Sequence, residues 1–165
     1  MRLLNTVVAI LFLAPGASAQ LGSTRQGDAR VRKTLTEAGI EFTVDDDGDF
    51  KLIRTLDNGR TQLVYINSGT ETFKNLEIRE VWAPAHKTTG QFPAKVANDL
   101  LLDSFRKKIG AWQTIFKESD NSYLAVFAAK IDADADAPSL NACITAVAQS
   151  ADEMEEKLTG DKDEF

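Results

Sequence analysis

The chain predicts an α+β fold, an antiparallel sheet of about six strands with three helices in the order α-β-β-β-β-α-β-β-α. Three features carry that expectation. Residues 112–117 and 123–131 place β-branched and aromatic side chains at a period near two on either side of Ser119-Asp120-Asn121-Ser122, which marks a long β-hairpin. Four shorter runs between Ile40 and Trp82 alternate apolar with polar residues, with no helical pattern among them. Three other stretches repeat apolar residues at spacings of three and four, the first ahead of the short strands, the second just ahead of the hairpin and the third after it.

Taken in order, residues 23–38 suit a helix in which Val31, Leu35 and Ala38 turn inward and Arg30, Arg32 and Lys33 turn to water, with Gly39 as its terminator. Residues 40–44 and 50–52 form a hairpin with an acidic tip, Asp45 to Asp49, and Asn58-Gly59 then offers a type I′ turn into the strand 61–66. A polar loop is expected over 67–72. In the fourth strand Leu76, Ile78 and Trp82 alternate with Glu77 and Arg79, which assigns the first set to the buried face and the second to water.

Pro84 and Lys87-Thr88-Thr89-Gly90 interrupt the strand pattern, and Pro93 suits the first position of a helix to Ile109. Ala97, Leu101, Phe105 and Ile109 share one face of that helix, flanked by Leu100 and Leu102, while Arg106, Lys107 and Lys108 complement its C-terminal dipole. This apolar arc is wider than one sheet face covers, so Phe105 is expected in the core and Leu102 at the edge of a contact with a second subunit. After the hairpin, residues 132–137 form an acidic connector. Ser139 is placed to cap a helix to about Leu158, with Leu140, Ile144, Val147, Ala151, Met154 and Leu158 as its buried stripe. The tail, 159–165, is polar and expected to fray.

The N-terminus carries a different message. Arg2, an apolar run from Leu3 to Leu13, Pro15-Gly16 and Ala17-Ser18-Ala19 have the order of a secretory signal cut after Ala19. The division is therefore residues 1–19 as a signal peptide and 20–165 as one domain with a short acidic tail, located in the periplasm or outside the cell. The apolar run, about 11 residues, falls short of the roughly 20 that span a bilayer, so no stable membrane insertion is expected once the signal is removed. Cleavage removes one of 19 basic residues against 25 acidic ones and takes the net charge from −6 to −7, which repels nucleic acid and anionic membranes. A single cysteine, Cys143, excludes an intrachain disulfide.

The order of elements, together with particular stretches, resembles the YbjN-like family of bacterial regulators. These stretches are Val31-Arg32-Lys33-Thr34-Leu35-Thr36-Glu37-Ala38-Gly39-Ile40-Glu41-Phe42, the acidic hairpin at 45–49, Gly59-Arg60-Thr61-Gln62-Leu63-Val64 and Leu76-Glu77-Ile78-Arg79-Glu80-Val81-Trp82. Where that family tends to show Asn-x-Trp-Asn, this chain has Asn98-Asp99-Leu100-Leu101, and only the asparagine carries over. The resemblance implies a type III secretion chaperone-like fold, a sensory-transduction or interaction role, frequent dimerisation and no cofactor.

Candidate chemistry is sparse. Asp132, Asp134 and Asp136 reproduce the first three alternate carboxylates of a calcium loop, but Ala137 stands where the glycine turn is needed and Cys143 where a bidentate glutamate belongs. Cys143 and His86 are the one possible thiol–imidazole pair, yet Cys143 shares the apolar face of Leu140 and Val147, the setting of an inert thiol. No Gly-x-Ser-x-Gly elbow is present, so no catalytic, cofactor or metal residues are assigned. The remaining candidates are apolar: Leu100, Leu102, Phe105, Trp82, Trp112 and Tyr123 as a protein- or peptide-binding or homodimer surface. The leading expectation is a secreted, non-enzymatic, regulatory or chaperone-like binding domain; an acidic calcium-binding module comes second and a hydrolase or thiol enzyme third. N-terminal sequencing of the mature protein should begin at Gln20, and intact Met1 on soluble cytoplasmic protein would contradict the secretory reading.

Overall fold

The computed structural model describes residues 26–160 and 162–165, so the signal segment and the first predicted residues of the opening helix lie outside the described residues. The elements run α1 (Ala29–Glu37), β1 (Thr43–Val44), β2 (Phe50–Thr55), β3 (Thr61–Phe73), β4 (Leu76–Thr89), α2 (Ala94–Arg106), β5 (Ala111–Lys117), a 3-10 turn (Glu118–Asp120), β6 (Ser122–Asp132) and α3 (Ala137–Thr159). All six strands pair antiparallel in the order β1-β2-β3-β4-β6-β5, so the long hairpin docks through β6 onto β4 and leaves β5 at one edge. The predicted α+β order is the observed one.

The core lies on one face of the sheet, beneath α3. Leu140, Ile144, Val147, Ala151 and Met154 are buried as their spacing predicts, and Leu158 is partly buried against them. Small residues occupy both sides of the main contact, Ala83 and Ala85 on β4 and Ala148 and Ala151 on α3, which lets the helix lie close to the strand. α1 adds Val31 and Leu35, whereas Ala38 is exposed. The cap of α3 is Asp136, whose carboxylate accepts the Ser139 N–H at 2.9 Å; Ser139 lies inside the first turn and receives the cap instead of supplying it.

β4 departs most from its sequence pattern. Arg79, Val81, Ala83 and Ala85 are buried at alternate positions, with Pro84 buried between the last two, while Leu76 is exposed and Ile78 and Trp82 stand on the open face. The predicted faces are therefore exchanged, and Arg79, only 2% exposed, is the cause. β3 continues through the predicted polar loop to Phe73, but its register slips: Ile66 pairs with Val81 and Thr70 with Arg79, so β3 advances four residues while β4 advances two. Arg79 donates to two carbonyls in that bulge, Asn67 at 2.5 Å and Ser68 at 2.8 Å, and to the Asp28 carboxylate at 2.6 Å.

Asp28 also caps α1 by accepting the Arg30 N–H at 2.7 Å, so one carboxylate starts the helix and neutralises the arginine under it. Arg30, expected to face water, donates to Asp28, Glu77 and Asp134. Ser68 completes the junction: its hydroxyl accepts the Asp28 N–H at 3.0 Å and donates to the Gly48 carbonyl, while its own N–H donates to Asp49 at 2.7 Å. The acidic tip of the first hairpin is thereby fastened to α1.

Three turns and ends differ from expectation. At Asn58-Gly59 only Gly59 has positive φ, +82°, and Leu56 N–H reaches the Arg60 carbonyl at 2.9 Å, so the loop is a three-residue turn ending in a left-handed glycine, not a two-residue type I′ turn. β4 runs unbroken past Pro84 to Thr89, accommodating the proline beside a register shift between Pro84 and His86. The tail does not fray: Leu63 N–H donates to the Phe165 carbonyl at 2.9 Å and Glu164 N–H to the Glu155 carboxylate at 2.7 Å.

Burial alone would raise the Asp28 carboxyl, but hydrogen bonds from Arg30 and Arg79 outweigh it and hold the group well below the usual carboxylate range. Asp28→Ala removes a cap and strands a buried guanidinium, and should lower stability by about 3 to 5 kcal/mol at neutral pH. Since a depressed folded-state value contributes above the ordinary aspartate value and is lost as pH falls through the depressed one, the gap between the two proteins should be constant across about pH 6 to 8 and should close on acidification. Denaturant titrations from pH 8 down into the acid range measure it.

Candidate functional site

α2 presents its apolar residues to solvent. Phe105 is 90% exposed, Leu101 66% and Leu102 56%, and among the large apolar side chains of this helix only Leu100 is buried. The inward side is held by polar groups spaced four apart. Asp99 meets Lys157 of α3 at 3.4 Å, Asp103 accepts the Trp112 indole N–H at 2.8 Å, and Lys107 pairs with Glu153 of α3 at 2.5 Å. Ser104 joins this seam, accepting the Trp112 backbone N–H at 2.9 Å and donating to the Leu100 carbonyl at 3.0 Å.

The helix is therefore fixed by hydrogen bonds and ion pairs along one stripe, which turns Leu101 and Phe105 outward. The expectation that Phe105 is core is overturned; Leu102 is exposed as an interface residue must be. α2 also stops at Arg106 instead of Ile109. At the following turn Gly110, with φ +78°, immediately precedes β5 where a Cβ would lie 2.7 Å from the Ala128 carbonyl oxygen, so only glycine fits that approach.

The six apolar candidates thus separate. Leu100 and Trp112 belong to the core, and Trp112 meets Phe127 edge to face at 5.3 Å. Leu102 and Phe105 belong to the outer face of α2. Trp82 stands on the sheet face away from the core, stacked on Tyr65 at 4.3 Å with its indole N–H on Asn67 at 2.9 Å. Tyr123 fits between Phe116 and Phe92, at 4.6 and 6.2 Å. The structure adds Leu101 to the α2 surface, and Ile53, 70% exposed, to the open sheet face it shares with Tyr65. The sequence signal for Leu101 was its spacing from Phe105, which defines a face without saying which way it points.

The polar candidates are engaged internally. Asp132 accepts the Asp134 N–H at 2.8 Å, Asp134 pairs with Arg30 at 2.9 Å, and Asp136 caps α3, so the alternate carboxylates of the connector serve a turn, an ion pair and a helix start. A cavity of about 270 Å³ beside them, between α1 and the connector, is lined by the same paired groups, Arg30 and Asp134 among them. Asp152, Glu155 and Asp163 converge as well, but around Arg60, which lies 2.5, 3.3 and 3.7 Å from them and supplies the cation. Cys143 is fully buried, and burial pushes its thiol up to about 11, which keeps it protonated and unreactive at neutral pH. Burial also lowers His86, which lies beside Phe92.

The chain is an α+β domain, a six-stranded antiparallel sheet with its helices gathered on one face, one of them polar inside and apolar outside. The solved structure of YbjN from E. coli, a candidate transcription regulator, shares this fold at a TM-score of 0.50, covering 78% of this chain and 89% of that one with 12% identical residues. No protein-family model matches the sequence, and no curated protein sequence matches it. Among the described residues no helix is long and apolar enough to cross a membrane.

If α2 is oriented by its polar stripe, the two apolar sides of the helix should respond oppositely to truncation. Leu100→Ala should cost about 2 to 5 kcal/mol, as buried leucines do, whereas Phe105→Ala should stay within about 0.5 kcal/mol of the parent. Chemical denaturation of the two variants decides it.

Proposed function

We propose that this chain is a secreted, non-enzymatic binding domain whose outer α2 face, Leu101, Leu102 and Phe105, docks a protein or peptide, a second copy of the chain being the first such partner to test. The exposure of three large apolar side chains on two adjacent turns carries the reading, because such a patch is an association site or a liability in a monomer. The regulatory part of the proposal draws on the fold shared with YbjN. The acidic charge makes direct nucleic-acid contact unfavourable, so regulation would act through a protein partner. The periplasmic or extracellular setting rests on the signal-like first 19 residues.

Leu102→Glu places a charge in the patch without touching the core. It should weaken self-association at least tenfold in sedimentation velocity while leaving the melting temperature unchanged. A parent protein that stays monomeric at every accessible concentration removes the second copy as partner, and unfolding of Leu102→Glu removes the surface itself.

A further inference from the structure

The two central strands part company at one end of the sheet. Their ladder reaches Tyr65 opposite Trp82, and the next outward-facing pair in that register would set Leu63 against Pro84. Proline has no N–H to return to Leu63, and the pairing stops. The Pro84 carbonyl instead accepts the side chain of the buried Gln62 at 2.8 Å, which leaves the Leu63 N–H open to a different chain segment. Residues 162–165 fill that place.

We propose that this opening between the start of β3 and the end of β4 is a binding groove for extended acidic peptides, occupied here by the chain's own tail. One backbone–backbone bond anchors the segment, and side chains of the groove and of the segment make the remaining contacts. Leu63 N–H donates to the Phe165 carbonyl at 2.9 Å, Arg60 donates to the Lys162 carbonyl at 3.0 Å, and the Thr61 N–H and hydroxyl both donate to the Asp163 carboxylate at 3.2 Å. Glu155, fully buried, accepts the Glu164 N–H at 2.7 Å.

The receptor side is braced independently of the tail. Asp152 holds Arg60 at 2.5 Å and accepts the Asn58 amide at 2.9 Å. Apart from the Asp163 carboxylate, the groove addresses backbone groups of its occupant, so what it selects is an extended segment with an acid at one position. A tail tethered by α3 competes at high effective concentration, and a segment from another chain must displace it. This groove lies at a different part of the sheet from the α2 face and stands or falls separately from it.

The probe is acetyl-Lys-Asp-Glu-Phe-amide, titrated into the full chain and into a full-length Asp163→Lys, Glu164→Pro variant whose tail cannot dock, following the Thr61 and Leu63 backbone amides by NMR. The variant should show saturable shifts of both amides, the parent should bind at least tenfold more weakly, and acetyl-Lys-Asn-Gln-Phe-amide should bind neither. In the parent, excess acidic peptide should also free the Glu164 amide, a readout that needs no variant. Absence of Leu63 shifts in a folded variant, equal binding by parent and variant, equal binding of the Asn-Gln peptide, or a Glu164 amide unmoved at excess peptide would each overturn the proposal.

Discussion

A guanidinium inside the core governs how this sheet is assembled. Moving an ion of that size out of water costs several kcal/mol unless its partners are close and well aligned. Arg79 finds them only because β3 bulges opposite it and turns the carbonyls of Asn67 and Ser68 toward it, and because Asp28 stands at the start of α1. The bulge, the helix start and the strand parity form one solution. With Arg79 facing in, every second residue of β4 follows it, which brings Val81, Ala83 and Ala85 under α3 and sends Ile78 and Trp82 to the open side. Arg30, held by the same aspartate, then reaches Glu77 and Asp134 and connects α1 to both β4 and the approach to α3.

β4 is central and also the most irregular strand. Near one end it faces a bulge in β3 that admits Arg79, and near the other it carries Pro84, where the ladder with β3 ends and the tail enters. Between these points the pairing of β4 with β6 is regular. Two separate polar clusters close the two ends, Asp28 with Arg79 and Arg30 at one, and Arg60 with Asp152 and Glu155 at the other. Burial raises Glu155, while at Asp28 the bonds from two arginines outweigh burial and lower it. Both clusters join residues far apart in the chain, so each acts as a check on register that local propensity does not provide.

Element order was legible from the residues because period two and period 3.6 are local signals, and the hairpin of β5 and β6, the stripe of α3 and the buried Cys143 all followed from them. Direction was less legible. Glu77, Arg79 and Trp82 gave an alternation, but Arg79 becomes a core residue through Asp28, 51 positions away, and no window on β4 contains that partner. In α2 the mistake had the same origin. Asp99, Asp103 and Lys107 look like a solvated stripe until Lys157, Trp112 and Glu153 are brought against them. The tail looked free for the same reason, since Arg60, Thr61 and Leu63, which hold it, lie some 102 positions earlier in the chain.

The way α2 is fastened bears on what its outer face can do. Exposed ion pairs contribute about 0 to 1 kcal/mol each, and a helix of 13 residues is marginal alone, so Leu100 and the Trp112 hydrogen bonds carry much of its attachment. Burying Leu101, Leu102 and Phe105 against a partner would contribute about 1.5 to 3 kcal/mol per side chain, comparable to what holds the helix to its own domain. Docking on this face would therefore strengthen α2 and, through Ser104 and Asp103, the edge strand β5 behind it. The helix least supported by its own core is the one whose order a partner can most change.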